Sequence, residues 1–207
     1  MIDLPISENK AIQASKWLIE NFGKSIDEAV HKTPFSVNLI CAIACQETAY
    51  KWLLWIDKYK PGIVLGRCVL DASGDFPNTT RNAFPKNATA FQNVYGQSFL
   101  NELINEANLQ RAMPQSDSLN GYKPAKYLYK GYGIFQYDLQ AVKNDVDFFK
   151  LKKWYNIEDC LKKLLLELNI KSKQFTAEKD FIAAYNGSGP KAKVYSENVL
   201  AFKEIIA

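Results

Sequence analysis

The chain has 207 residues, 47% hydrophobic and 23% charged, which is a globular composition and excludes a disordered one. Its net charge of +4 suits an anionic polymer but falls short of the strongly basic balance of a nucleic-acid binder. The single histidine, His31, argues against Ser-His-Asp hydrolases, multi-histidine metal sites and HExxH proteases.

The N-terminal stretch MIDLPISENKAIQ has no basic segment followed by an apolar one, so no signal peptide is expected. No apolar run reaches about 18 residues, so no membrane span is expected either. Residues 7–22 read as a first helix, with Ser7 as cap and Ile12, Trp17, Leu18 and Ile19 as its apolar side. His31 follows as a structural or exposed residue. Thr33-Pro34 reads as a helix start, a capping residue followed by proline. The run from Pro34 to about Leu54 is apolar almost all round, the mark of a central, buried helix. From Asp57 to Asn87 the character changes to turns, with IVLGRCVL as a short strand or two.

Ala88 to about Arg111 returns to helical periodicity, and Met113 to Lys130, including Ser116 and Ser118, reads as loop. Helices are expected over about Leu139–Lys150, Ile157–Lys173 and Ala177–Tyr185, and from Pro190 to the end. Lys152-Lys153 and Lys162-Lys163 read as solvated faces of such helices. The sum is a mainly α fold of seven or eight helices with at most a small β element. Cys41, Cys45, Cys68 and Cys160 form no CxxC pair and read as buried free thiols, with a Cys68 bridge left open for a protein working outside the cytoplasm.

Three segments carry candidate chemistry. AIACQETAY places Glu47 near the end of the apolar helix, where burial disfavours its charged form and raises its pKa toward the range of a general acid. The plainer reading is a glutamate facing outward or paired with Lys51. Gly131-Tyr132-Gly133-Ile134-Phe135-Gln136-Tyr137-Asp138 can approach a ligand closely with its backbone, Gln136 offering both donor and acceptor. It lacks the third glycine of a dinucleotide fingerprint. Ala184-Tyr185-Asn186-Gly187-Ser188-Gly189-Pro190 is a helix–helix corner that presents Tyr185 and Asn186.

In order and content these segments resemble the goose-type lysozyme and soluble lytic transglycosylase superfamily. In that family a helix bears the catalytic glutamate followed by a small residue, then come a glycine-rich segment ending in glutamine and an A-Y-N corner. The matching residues are Gln46-Glu47-Thr48, Gly131 to Gln136, and Ala184 to Val194. The resemblance implies one lysozyme-like domain over 1–207, its small β element lying between two lobes. Residues 1–33 would be an N-terminal helical extension and 57–130 an enlarged insertion lobe, since 84 positions separate Glu47 from Gly131.

It implies cleavage of the β-1,4 link between N-acetylmuramic acid and N-acetylglucosamine, with Glu47 protonating the glycosidic oxygen. Thr48 stands where serine is usual, with its hydroxyl near the acid. Tyr132, Gly133, Ile134 and Gln136 would line the sugar site, and Tyr185 and Asn186 would bind the sugar beside the broken bond.

A hydrolase needs a second carboxylate, about 6.5–9.5 Å away if a water is to fit between them. The resemblance points to Asp138, whose plainer role is an N-cap for a helix at Leu139. Asp71 and Asp75 in LDASGDFP are further candidates, whose plainer role is turn formation. A lytic transglycosylase needs only one glutamate and leaves 1,6-anhydromuramic ends, and a chitinase-type activity is a neighbouring outcome.

No cofactor and no metal are expected. The partner expected is peptidoglycan or a chitin-like polysaccharide, with no nucleic acid and no membrane insertion. Delivery to the wall, periplasmic or extracellular, falls to another system, and any delivery or immunity protein is unidentified. Trp52, Trp55, Tyr59, Tyr122, Tyr127, Tyr129 and Tyr132 are either core residues or sugar-stacking faces. The readings of another class are a non-catalytic glycan-binding module and an unrelated helical interaction domain.

Overall fold

A computed structural model describes residues 4–116 and 120–207. Ser118 and the first three residues, used in the sequence reading, lie outside the described residues. The chain divides into two compact units, one built from Met1–Leu53 with Ile157–Ala207, the other from Leu54–Asn156.

The first unit opens with helix α1, Glu8–Val30. It runs past residue 22, because Gly23 takes the helical conformation and the periodicity continues to Ile26 and Val30. Ser7 occupies the N-cap position without a side-chain cap bond. The buried stripe is Ala11, Ala14, Trp17, Leu18, Ile26 and Val30. Ile12 and Ile19, expected to face inward, are 51% and 43% exposed. Small alanines on the inner face let α2 come close, and the bulkier isoleucines fall outside the contact.

Helix α2, Val37–Glu47, starts later than Thr33-Pro34. The Thr33 hydroxyl instead closes the end of α1, donating to the Val30 carbonyl (2.9 Å) and accepting from Phe35 N–H (3.2 Å). The cap is Ser36, whose Oγ accepts from Leu39 N–H at 3.1 Å. Leu39 through Cys45 are all fully buried, so this helix is the central one. It stops at Thr48 (φ −141°), and a one-turn helix α3, Ala49–Trp52, follows. The single expected helix is therefore two, and the Thr48 hydroxyl at the break accepts from the buried Trp52 indole at 3.0 Å.

The second unit begins with α4, Pro61–Gly66, where proline at the first helical position turns the start of IVLGRCVL into helix. Only Val69–Leu70 becomes a strand, β1. Helix α5, Ala88–Tyr95, is capped by Asn87 Oδ1 accepting from Ala90 N–H at 2.9 Å. Gly96 at φ +83° then separates it from α6, Gln97–Arg111, so the expected helix over 88–111 is interrupted. The described part of Met113–Lys130 holds no helix and no strand.

Strands β2 (Gly131–Tyr132) and β3 (Tyr137–Asp138) complete an antiparallel sheet in the order β1-β2-β3. Val69 faces Tyr132, and Gly131 faces Asp138. The expected helix over 139–150 is a 3-10 turn at Leu139–Lys143 followed by α7, Val146–Lys150. Lys152 is not on a helix. It sits at φ +51° before a 3-10 turn, its ammonium 2.6 Å from the buried Glu106 carboxylate. Tyr132, Phe148, Phe149 and Trp154 pack edge-to-face into this unit's aromatic core.

The chain then returns to the first unit with α8 (Ile157–Ser172), α9 (Glu178–Asn186) and α10 (Pro190–Ile205). Helix α10 packs on α9 and α2, and α1 packs on α2 and α8, so the first 33 residues contribute to this unit's core. Among the described residues there are ten α-helices and one small sheet, a mainly α protein with more helices than expected. No helix among them is long and apolar enough to cross a membrane. All four cysteines are buried and none is in a disulfide, and burial raises the Cys41 pKa to about 11, which suits inert apolar residues.

Candidate functional site

Glu47 is the last residue of α2, part-buried at the break before Thr48. Its carboxylate Oε1 accepts from the Tyr195 hydroxyl of α10 at 2.7 Å. Burial lifts the Glu47 pKa from 4.5 to about 7, the Tyr195 hydrogen bond opposing part of the rise. The Tyr185 ring of α9 lies 6.3 Å from that of Tyr195. Burial, and then the neighbouring Glu47 charge, push both phenols well above their usual pKa, so both stay protonated. The result is a carboxyl that exchanges a proton near neutrality beside a fixed O–H donor.

Thr48 is fully buried, its hydroxyl accepting from Trp52. Asn186 is exposed at the end of α9, and the corner that follows takes positive φ at Gly187 (+136°) and Gly189 (+81°) before Pro190 opens α10. An open groove of about 390 Å³ runs along this corner, lined among others by Lys179, Ala183, Ser188 and Lys193, but by neither Glu47 nor Tyr185.

The glycine-rich segment is the β2–β3 hairpin of the second unit. Gly133 (φ +78°) and Gln136 (φ +54°) make its turn. The Gln136 amide donates to the carbonyls of Gly133 (2.8 Å) and Cys68 (3.2 Å), stapling the hairpin to the chain before β1. A side chain at Gly131 would run into Gln136 Oε1, which accounts for the glycine. Tyr132 and Ile134 are buried, the Tyr132 hydroxyl without a hydrogen-bond partner among the described residues.

The three candidate aspartates, all in this unit, are bound in charge networks. Asp138 Oδ1 accepts from Arg81 Nη2 (2.5 Å) and from Gln140 N–H (2.7 Å), so Asp138 does cap the 3-10 turn. Asp71 (φ +64°) accepts from Ser73 N–H at 2.9 Å and lies 3.6 Å from Arg81 Nη1. Asp75 accepts from Ala88 N–H at 2.8 Å and pairs with Lys130, whose side chain has no exposed surface. Burial lowers the Lys130 pKa, and Asp75 opposes that shift. Arg81 thus brings Asp71 and Asp138 together.

Of the aromatics, Trp52, Trp55, Tyr129 and Tyr132 are core residues, while Tyr59 and Tyr122 are exposed and Tyr127 is part-exposed. The sequence reading missed Tyr195, Arg81 and Lys130. Tyr195 had a signal: it stands in the stripe Tyr195, Val199 and Phe202, and a buried tyrosine needs a partner for its hydroxyl. Arg81 and Lys130 had none, because their carboxylate partners lie 55 or more positions away or in a bent loop. No group of three or more His, Cys, Asp or Glu among the described residues could hold a metal ion. Set against protein-family models, curated proteins and solved structures, the chain matches none of the three.

Proposed function

We propose that the chain is a lysozyme-like glycosidase that cleaves the β-1,4 bond between N-acetylmuramic acid and N-acetylglucosamine in peptidoglycan, with Glu47 as general acid. The observation that carries this reading is the Glu47 carboxyl, with a pKa raised to about 7 and a fixed Tyr195 donor. At neutral pH a sizeable fraction is protonated and able to protonate the leaving oxygen. The carboxylate left behind is stabilised by Tyr195, which lowers the cost of that transfer. The order of the Glu47, Gly131–Gln136 and Ala184–Asn186 segments supports the lysozyme-like reading of the fold and the assignment of Gly133, Gln136, Tyr185 and Asn186 to sugar binding.

The hydrolytic version needs a second carboxylate, and the resemblance to goose-type lysozymes offers Asp138 for that role. A second reading, lytic transglycosylation, draws support from the engagement of all three candidate aspartates in pairs with Arg81 or Lys130 and in backbone caps. The 6-hydroxyl of the substrate itself then closes the ring, and Glu47 alone suffices. Turbidity loss of purified cell walls tests both versions. The wild-type chain is expected to clear the suspension and Glu47→Gln to leave it turbid, whereas clearing by both would remove Glu47 from the chemistry.

A further inference from the structure

The positive charge is carried unevenly. Residues 54–156 hold 13 basic and 9 acidic side chains, while the other unit is balanced at 13 and 13, so the whole excess of +4 lies in the second unit. Four of its acids are already paired with cations: Asp75 with Lys130, Asp71 and Asp138 with Arg81, and the buried Glu106 with Arg67 and Lys152.

An exposed aromatic group lies on this same unit. The Arg111 guanidinium, at the end of α6, sits 5.7 Å from the centre of the Tyr122 ring and 5.3 Å from that of Tyr127. Its Nε and Nη2 are locked onto the Lys123 carbonyl at 3.0 and 2.7 Å, so it cannot swing away freely. Phe76 meets Tyr127 edge-on at 5.6 Å. Phe76 and Tyr122 are about half exposed, at 51% and 53%, and Lys123 and Lys126 stand exposed beside them. The backbone carrying these rings is itself pinned, Tyr122 N–H to the Arg111 carbonyl (2.6 Å) and Ala125 N–H to Asn108 Oδ1 (2.9 Å).

We propose that Phe76, Tyr122 and Tyr127, flanked by Lys123 and Lys126, form a second glycan-binding platform that holds a carboxylate-bearing polysaccharide, the peptidoglycan strand. The identity of the strand rests on the glycosidase reading above; the platform and its charge do not. A pyranose presents a face of C–H groups that complements the negative face of an aromatic ring, while the carboxylates of the strand's stem peptides meet the lysines. Rings held in place before binding lose little freedom on binding, which favours an extended ligand held at several weak contacts. Single-stranded nucleic acid meets rings and cations by related chemistry. The 65° angle between Phe76 and Tyr127, with Arg111 over both tyrosines, offers small separate faces that suit sugars better than stacked bases.

The test is co-sedimentation of the full chain, as Glu47→Gln, with insoluble peptidoglycan sacculi stripped of teichoic acid by hydrofluoric acid. Added in that background, Tyr122→Ala with Tyr127→Ala is expected to weaken binding about tenfold. Lys123→Glu with Lys126→Glu is expected to weaken it and to flatten its salt dependence. Both changes are at the surface, and circular dichroism checks that the helices persist. Unchanged binding in both double variants overturns the platform, as does binding only to unstripped sacculi. Binding to an oligo-dT strand but not to sacculi replaces it with a nucleic-acid site. Binding that depends on these residues, with no cleavage by the wild-type chain, overturns the glycosidase reading and leaves the platform standing.

Discussion

Glu47 sits where an α-helix ends, part-buried, with the Tyr195 hydroxyl 2.7 Å from its Oε1. That donor stabilises the charged carboxylate, so its removal raises the Glu47 pKa beyond about 7. Because a general acid works while protonated, Tyr195→Phe is expected to move the alkaline limb of the pH–rate profile to higher pH. Unfolding measurements are expected to show a loss of about 1 kcal/mol in the same variant. The raised pKa also fixes a pH dependence of stability. Below pH 4.5 the carboxyl is neutral in both folded and unfolded chains. Between 4.5 and about 7 the folded chain keeps a proton that the unfolded chain has released, so stability falls as pH rises, and above 7 the full cost persists. Glu47→Gln carries no such cost. Thermal or denaturant unfolding is expected to find it level with wild type near pH 4 and more stable by about 2 kcal/mol near pH 8, allowing for screening at a part-exposed site.

The segment between β1 and α5 has no helix or strand, and it is held by charge instead. Asp71 and Asp138 share Arg81, Asp75 caps Ala88 N–H and meets the buried Lys130, and a side chain at Gly74 (φ +85°) would collide with the Lys86 carbonyl. Asp75→Ala leaves the Lys130 ammonium buried without its carboxylate and removes the backbone cap. Denaturant unfolding is expected to show a loss of about 3–5 kcal/mol. These ties explain what the sequence could disclose about the elements. Helix periodicity, proline at Pro190 and glycine at Gly187 are local signals, and the A-Y-N corner was legible from them. The break at Gly96 also had a local signal, a glycine at φ +83° in open space, whereas the break at Thr48 falls inside an apolar run with no glycine or proline to mark it. The Thr33-Pro34 start failed because the Thr33 hydroxyl serves the preceding helix, a choice that propensity alone does not settle.

At the scale of the whole molecule, a central apolar helix is covered by helices from both ends of the chain, while residues 54–156 form a unit of their own. The mainly α class followed from periodicity, and the buried acid was visible as a glutamate in an apolar run. The partition of charge was also open to counting, once the boundaries of the units were known. Tyr195 and Arg81 were not found, because their partners in the fold are distant in sequence, 148 and 57 positions away. The role proposed for Glu47 is that of proton donor in glycosidic cleavage. Mass spectrometry of peptidoglycan digested by the wild-type chain and by Glu47→Gln tests it most directly. Disaccharide muropeptides are expected from the wild type, with reducing ends for a hydrolase or 1,6-anhydro ends lighter by one water for a transglycosylase, and none from the variant. The same products from both chains, or none from the wild type, would contradict it.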